Sequence, residues 1–280
     1  MRRITVVVLA AGVAAAAGAC AERPRDGSVA HASATASAAA VASSSSSAPR
    51  PPAPPAADAG EEATLALPIP ARAHAPEAPA AGWCGETAIQ EGLLHLGVWA
   101  PQRLINKAGK PTHPDLYSPD IPVALSELGV RYSFYAGARG FDAFARWVGA
   151  AVDEGDPVLA GVKILPTAHP EWGLDHFVLV VGHGPKGLLV NTTWGSRTWV
   201  ADTTTPGLSF KNAFYAIRLS GRTLPPDAHP ARLAVLDEGE AKVKLRVTCA
   251  GPSKDAPSTS KDVTVEAAHV SRFECPGYME

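Results

Sequence analysis

The chain has 280 residues, 46% of them hydrophobic, and its 25 basic and 27 acidic residues leave a formal net charge of −2. That length and apolar content suit one medium-sized domain with additional segments. The near balance of charge gives no indication of a strongly basic surface, so no nucleic-acid partner is expected. The 26 prolines and 25 glycines are unevenly distributed along the chain, and this unevenness marks the segment boundaries.

Residues 1–20 have the pattern of an export signal. Two arginines precede an uncharged apolar run from Ile4 to Ala17, which is too short to span a bilayer comfortably. The run leads to Ala-Gly-Ala-Cys at Cys20, which resembles a bacterial lipobox, although a leucine usually stands at the place of Ala17. We expect either a lipoprotein anchored to the outer membrane or cell envelope through a lipid on Cys20, or a secreted protein.

Residues 21–60 have the composition of a tether. Alanine, serine and proline dominate, including five serines from Ser43 to Ser47. Such a segment has too few large apolar side chains to offset the entropy cost of ordering, so we expect it to be disordered and partly extended. It would hold a folded part away from a membrane, or it is compositional drift without a function.

The four cysteines fall into three groups. Cys20 belongs to the signal, whereas Cys249 and Cys275 lie near the C-terminus of a chain expected in an oxidising compartment, where pairing is favoured. Closing their loop would contribute roughly 3.5 kcal/mol in the chain-entropy model, which suits a small module. Cys84 is left over and is a candidate nucleophile, unless it pairs with one of the other two or is an inert buried thiol.

The segment that follows Cys84 predicts a helix. Apolar residues recur at helical spacing up to Leu96, and Gly97 is a suitable end. Cys84 would lie in the first turn, where free N–H groups and the positive end of the helix dipole favour a thiolate and lower the pKa. Glu86, in the same turn, would oppose this effect slightly.

A hairpin is predicted between His176 and Asn191. Two β-rich runs flank the turn sequence that begins at His183, and the first run is almost continuously apolar, as in a strand buried on both faces. We expect the hairpin to bring Asn191 opposite His176, within a residue or two. The amide oxygen would accept the imidazole N–H and leave the other ring nitrogen for a thiol, as in a Cys-His-Asn site.

These motifs together resemble the papain-like cysteine peptidases. The Asp-His pair at His176, the hydrophobic strand, the Gly-x-Gly turn and Asn-Thr-Thr-Trp-Gly from Asn191 are similar to the papain segment that runs from the catalytic His to Asn-Ser-Trp-Gly. The Cys-Gly-x-x-Ala opening at Cys84 is more similar to the bacterial branch that includes the double-glycine bacteriocin-processing peptidases. The resemblance covers about residues 80–220, and it implies catalysis by Cys84, His176 and Asn191.

One feature of that family is missing. Papain-like sites usually carry a Gln shortly before the Cys as an oxyanion donor, and none lies between Glu62 and Trp83. The candidates for that role are the Cys84 backbone N–H, the Trp83 indole and Gln90, while Trp194 would shield the His–Asn bond. Loss of one such donor costs on the order of 10²–10³ in rate.

The predicted fold is α+β and papain-like: the helix that carries the Cys packs on a mostly antiparallel β-sheet in residues 61–224, and a small disulfide-linked β module or extension follows in residues 225–280. The predicted helices beyond Cys84 cover residues 121–128 and 141–154. The predicted strands cover residues 132–135, 157–164, 176–182, 187–192, 213–219, 243–248 and 263–267.

The expected function is that of an exported thiol-dependent hydrolase that cleaves peptide bonds through an acyl-enzyme, with a peptide or protein as its partner. The alternative is a papain-like fold without catalysis that binds peptides at the envelope; a purely structural lipoprotein would leave the Cys-His-Asn order unexplained. No metal or other cofactor is expected, because His176 and His183 would lie about 23 Å apart at opposite ends of one strand.

Overall fold

A computed structural model describes seven stretches of the chain. They are residues 65–80, 82–164, 174–201, 208–210, 213–225, 227–251 and 256–276. The predicted export signal with Cys20, the predicted 21–60 tether and the first four residues of the predicted 61–224 domain lie outside these stretches. Within the described part of the chain, no helix is long and apolar enough to cross a membrane.

The described residues form an α+β structure with mostly antiparallel sheets, which confirms the predicted class. The helices are α1 Cys84–His95, α2 Gln102–Gly109, α3 Asp120–Glu127 and α4 Phe141–Asp153. The strands are β1 Leu65–Ala66, β2 Val98–Trp99, β3 Val130–Phe134, β4 Val158–Val162, β5 His176–Gly184, β6 Gly187–Asn191, β7 Arg197–Val200, β8 Ala216–Arg222, β9 Ala228–Pro230, β10 Arg232–Glu238, β11 Lys242–Cys249, β12 Thr259–Glu266, β13 Ser271–Arg272 and β14 Glu274–Pro276.

The main sheet has the strand order β3-β8-β4-β5-β6-β7, and β1 also pairs with β5. All of these pairings are antiparallel. Its central strand β5 is covered on both faces: alternate residues from Phe177 pack with Ile89 of α1, and those from Val178 pack with Phe144 of α4. Each large side chain buried in this way stabilises the fold by about 2 kcal/mol. The prediction of a strand buried on both faces is therefore confirmed.

Helix α1 is the central helix of the fold, and every one of its residues is buried. Its glycine at position 92 is required by close packing, because a Cβ there would overlap the Leu219 side chain of β8. The helix ends at His95, and Gly97 follows with a φ of 73°. Since few side chains adopt that backbone conformation, Gly97 stops the helix as the sequence predicts.

The C-terminal strands form a further apolar cluster that includes residues of the preceding domain. Strands β10, β11 and β12 make an antiparallel sheet, and the side chains of Leu245 and Val247 share a cluster with Leu94 of α1 and Trp99 of β2. The predicted disulfide joins Cys249 to Cys275. Strand β13 pairs with β2, so this part of the chain packs directly against the helix that begins at Cys84.

Candidate functional site

Cys84 is the first residue of α1, and it is the one free cysteine among the described residues. Its position is held by the preceding residue, because the Trp83 indole Nε1 donates to the Pro114 carbonyl oxygen at 2.9 Å. The backbone N–H groups of Phe177 and Gly85 interact with the thiol. Phe177 follows His176 directly in β5, so the sulfur lies at the start of the strand that carries the histidine.

The Cys84 thiol is protonated in this environment. Its pKa is raised from 9.0 to about 12: burial raises it most, the nearby Glu86 and Asp115 carboxylates also raise it, and the Phe177 and Gly85 N–H groups lower it. Only 9% of the residue is exposed. The prediction that the helix N-terminus lowers this pKa is therefore wrong, because the loss of hydration outweighs the attraction of the helix dipole. The predicted opposing effect of Glu86 is confirmed.

Glu86 is a second buried ionisable group in the first turn of α1. Its Oε1 accepts hydrogen bonds from Asn106 Nδ2 at 2.7 Å and from the Leu116 backbone N–H at 3.0 Å. Burial raises its pKa from 4.5 to about 7, while these hydrogen bonds lower it. The carboxyl group thus fastens α2 and the segment around Leu116 beside the thiol.

His176 opens β5 and is held from two sides. Its Nε2 lies 3.1 Å from the Thr193 hydroxyl oxygen, and its ring stacks on Trp194 with centroids 4.8 Å apart and planes at 11°. The pKa of His176 is lowered from 6.5 to about 3: burial lowers it most, nearby His74 also lowers it, and Asp175 raises it. The imidazole is therefore neutral near pH 7. No hydrogen bond joins it to Cys84 among the described residues.

The predicted pairing of His176 with Asn191 is not formed. Asn191 pairs with Leu179, and a register shift follows between Val180 and Gly182. The reason is the position of the turn: Gly184 pairs with Gly187, so the hairpin folds about a centre closer to Asn191 than the prediction assumed. Leu179 lies three positions after His176 in β5. The chain therefore continues beyond Asn191 to Thr193 and Trp194 before it reaches the histidine.

Asn191 instead belongs to a buried polar network. Its Nδ2 donates to the Ile69 carbonyl oxygen at 2.8 Å, and its Oδ1 accepts from Arg197 Nε at 2.8 Å. Its side chain also lowers the pKa of Glu91, which burial raises well above 4.5. Arg197 additionally donates to the Ile69 carbonyl. These contacts fasten the segment before α1 to the hairpin.

Two of the three predicted oxyanion donors, the side chains of Trp83 and Gln90, have other partners. The Trp83 indole is engaged with Pro114. Gln90 Nε2 donates to the Ala100 carbonyl oxygen at 2.8 Å, and Gln90 Oε1 accepts from Arg72 Nε at 2.8 Å. Gln90 also lies six residues after Cys84 in α1, which corresponds to about 9 Å along the helix axis. Trp194 stacks on the histidine ring, but the His–Asn bond that it was predicted to shield is not formed.

The segment before α1 adds a residue that sequence reasoning missed. Ala73 forms an antiparallel bridge with Trp194, and the backbone N–H of His74 donates to the Thr193 carbonyl oxygen at 3.1 Å. A Cβ on Gly82 would overlap the His74 ring, so this imidazole rests against the residue two positions before Cys84. No local motif marks His74. Thr193 had a weaker signal, since it directly precedes Trp194.

The site thus brings together Cys84, His176, Thr193, Trp194 and His74, and it leaves Asn191 in the polar network behind them. Both the thiol and the imidazole are neutral and largely buried. In comparisons with protein families, curated proteins and solved structures, the chain matches none of them.

Proposed function

We propose that the chain is a papain-like, thiol-dependent hydrolase that cleaves peptide or related amide bonds, with Cys84 as nucleophile and His176 as general base. The observation that carries this proposal is the contact of the Cys84 thiol with the Phe177 backbone N–H, which brings the sulfur to the start of the strand that His176 opens. A free cysteine at a helix N-terminus beside a shielded histidine is the arrangement that thiol acyl transfer requires.

Thr193 supports the assignment of His176 as a base. In the tautomer with hydrogen on Nε2, the Thr193 hydroxyl accepts that hydrogen and leaves the Nδ1 lone pair for a proton from the thiol. Trp194 stacks on the ring and limits its rotation. We propose that Thr193 orients the imidazole, in the role that the sequence assigned to Asn191.

The proposed chemistry begins from a neutral pair. Because burial raises the pKa of Cys84 and lowers that of His176, the proton moves as the sulfur attacks the carbonyl carbon, and no ion pair forms beforehand. His176 then returns the proton to the leaving amine. Water attacks the thioester with His176 again as base, and the acid product leaves.

A second candidate function is supported by the same burial. A papain-like module that binds peptides without cleaving them does not need a reactive thiol. It would tolerate a Cys84 pKa of about 12 and the engagement of Asn191 with Arg197. Its cleft would retain Trp194 and lack a working nucleophile. The two functions differ in whether Cys84 forms an acyl adduct.

The proposed setting is outside the cytoplasm. The Cys249–Cys275 disulfide is compatible with an oxidising compartment, and the composition of residues 1–20 predicts export. The proposed partners are therefore peptides or proteins of that compartment, with a membrane contact if Cys20 carries a lipid.

Acylation by p-nitrophenyl acetate tests the proposal directly. We expect the wild-type protein to release a burst of p-nitrophenol and to carry one acetyl group on Cys84, identified by peptide mapping. Cys84→Ala and His176→Ala should abolish the burst. His183→Ala is the matched control, since His183 lies at the far end of the same strand and pairs with Asp153.

Each result separates the two functions. A burst that requires both Cys84 and His176, and is unchanged in His183→Ala, supports a hydrolase. A folded wild-type protein that is not acylated at Cys84, or that is acylated equally fast without His176, refutes the hydrolase and favours the binding module.

A further inference from the structure

A cavity of about 290 Å³ lies beside the candidate site. Its walls include the aromatic rings of Phe134, Phe214 and Tyr215 and the side chain of Leu174. Among the described residues that line it, Arg139 is the one that carries a charge. Phe134 is 48% exposed although it is large and apolar. Exposed rings that line a concave surface are typical of a place that a ligand covers.

The cavity adjoins the proposed nucleophile through two aromatic residues. The Phe177 backbone N–H interacts with the Cys84 thiol, and the Phe177 ring meets the Tyr215 ring edge-on, with centroids 5.8 Å apart. Gly161 lies between these two residues in the sheet, since it pairs with Phe177 and its N–H donates to the Tyr215 carbonyl oxygen at 2.9 Å. The wall of the cavity is therefore one side chain away from the residue that contacts the sulfur.

Leu174 connects the cavity to the proposed general base. It precedes His176 by two residues, and its side chain occupies the space over Gly161, where a Cβ would overlap it. The Tyr215 hydroxyl donates to the Ser118 carbonyl oxygen at 3.0 Å, which fixes the aromatic wall to the segment before α3. The cavity is thus formed in advance by residues that adjoin both members of the proposed catalytic pair.

The size and the lining of the cavity suit one aromatic side chain. Sites for whole small molecules have volumes of about 300–1,000 Å³, so this cavity is at the lower limit of that range. Aromatic rings attract one another edge to face, and a guanidinium such as that of Arg139 is attracted to a ring. A basic side chain would be repelled by Arg139, and a carboxylate would lose hydration against the apolar walls.

We propose that this cavity is a substrate subsite that binds an aromatic side chain within one or two residues of the bond that Cys84 attacks. This inference rests on the proposed function and names its substrate class, which is peptides with an aromatic residue close to the cleaved amide. Successive residues of an extended peptide are about 3.3 Å apart, so such a residue reaches the cavity while the carbonyl carbon is at the sulfur. A substrate with only small side chains would leave the rings uncovered and bind less tightly.

Acylation by two p-nitrophenyl esters tests the subsite. The 5-phenylpentanoate ester carries a phenyl ring on a flexible chain that can reach the cavity from Cys84, whereas the acetate ester carries none. Each burst rate is divided by the rate of the same ester with N-acetylcysteine, which corrects for intrinsic reactivity. We expect the corrected ratio of phenylpentanoate to acetate to be at least on the order of 10 in the wild type, because one methylene in an apolar pocket already changes specificity by about 10–200-fold.

Two variants assign this preference to the cavity. Phe134→Ala removes an aromatic partner and should lower the corrected ratio about fivefold. Arg139→Gln removes the cation and should lower it about threefold. Leu236→Ala is the matched control, because Leu236 is also a large apolar residue, is 39% exposed and lies in β10 of the C-terminal sheet. Its ratio should equal that of the wild type.

The outcomes distinguish this inference from the function on which it depends. A wild-type ratio near 1 overturns the subsite, while acetylation that requires Cys84 and His176 leaves the hydrolase in place. A high ratio that neither Phe134→Ala nor Arg139→Gln lowers means that the ring binds elsewhere, which also overturns the inference. An equal fall in Leu236→Ala means a general loss of packing and has the same consequence. Failure of both esters to acylate Cys84 refutes the proposed function, and the inference with it.

Discussion

Thr193 should have the orienting role that the sequence assigns to Asn191, and replacing each in turn tests this. Asn191→Ala removes both the donor to Ile69 and the acceptor of Arg197. The guanidinium then keeps a partly buried donor without its partner. Since a lost hydrogen bond to a charged group costs about 1.5–3 kcal/mol, and truncation also leaves a cavity, we expect the free energy of unfolding to fall by about 3 kcal/mol.

Thr193→Val removes only the hydroxyl that contacts His176 and preserves the shape of the side chain. This leaves a buried ring N–H of His176 without its acceptor, so the free energy of unfolding should fall by about 1–3 kcal/mol, of which the net hydrogen bond is about 1 kcal/mol. If the hydroxyl orients the imidazole for attack, the same 1 kcal/mol corresponds to about a fivefold slower acetylation of Cys84. Asn191→Ala, measured where it is fully folded, should acetylate at nearly the wild-type rate.

Urea unfolding followed by tryptophan fluorescence gives the stabilities, and the p-nitrophenol burst gives the acylation rates. The reasoning is refuted if Asn191→Ala slows acetylation more than tenfold while its unfolding free energy stays within 1 kcal/mol of wild type. That result would make Asn191 the orienting residue and the structural network with Arg197 incidental.

Three further predictions concern ionisation and the disulfide. The rate of alkylation of Cys84 by iodoacetamide should rise about tenfold per pH unit from pH 7 to pH 10 without a plateau, because the pKa of the thiol is about 12. Glu86→Gln should increase that rate above pH 7, where the Glu86 carboxylate is ionised, and should leave it unchanged near pH 6. Burial lowers the pKa of His95 from 6.5 to about 3 in the folded protein. As the pH falls below 6.5, His95 is therefore protonated in the unfolded chain before it is protonated in the folded one, and this favours unfolding. The folded protein is thus stabilised by neutral His95 above pH 6.5 and loses that stability as the pH falls toward 3. His95→Gln should therefore lose about 2 kcal/mol less than wild type between pH 7 and pH 5 in urea unfolding, and an unchanged difference would contradict this assignment. Replacing Cys249 and Cys275 with alanine should lower the free energy of unfolding by about 3–4 kcal/mol, and dithiothreitol should then have no further effect on the variant.

The elements that the sequence predicts well are those with a strong local pattern. The predicted helix that begins at Cys84 is α1, the predicted helix at 141–154 is α4, and the continuous apolar run after His176 is the doubly covered strand β5. Helix α2 was missed, because Gln102–Gly109 has few apolar residues and is positioned by its neighbours. Strand β7 was missed for a similar reason, since its residues are recognisable only from their pairing with β6.

The site was predicted less completely because its details depend on register and on burial. Cys84 and His176 were found from residue type and order, yet one misplaced turn centre moved the expected partner of His176 from Thr193 to Asn191. A hairpin pattern determines which residues form strands far better than it determines which residue faces which. His74 carries no sequence signal, because its contacts come from a backbone bridge between segments about 120 residues apart.

Burial has opposite consequences for the resting site and for the charged species that forms during the proposed reaction. It disfavours the charged thiolate and imidazolium, which raises the pKa of Cys84 and lowers that of His176, so the resting site has little reactivity of its own. The same low dielectric strengthens any hydrogen bond to a charge that forms inside the site. A donor held rigidly at the carbonyl oxygen is therefore worth more here than in an exposed site, and the proposed reaction depends on it more strongly. For that reason the acetylation rate of Cys84 in the wild-type protein, compared with that in His176→Ala, is the measurement most sensitive to whether this buried pair can act as a catalyst.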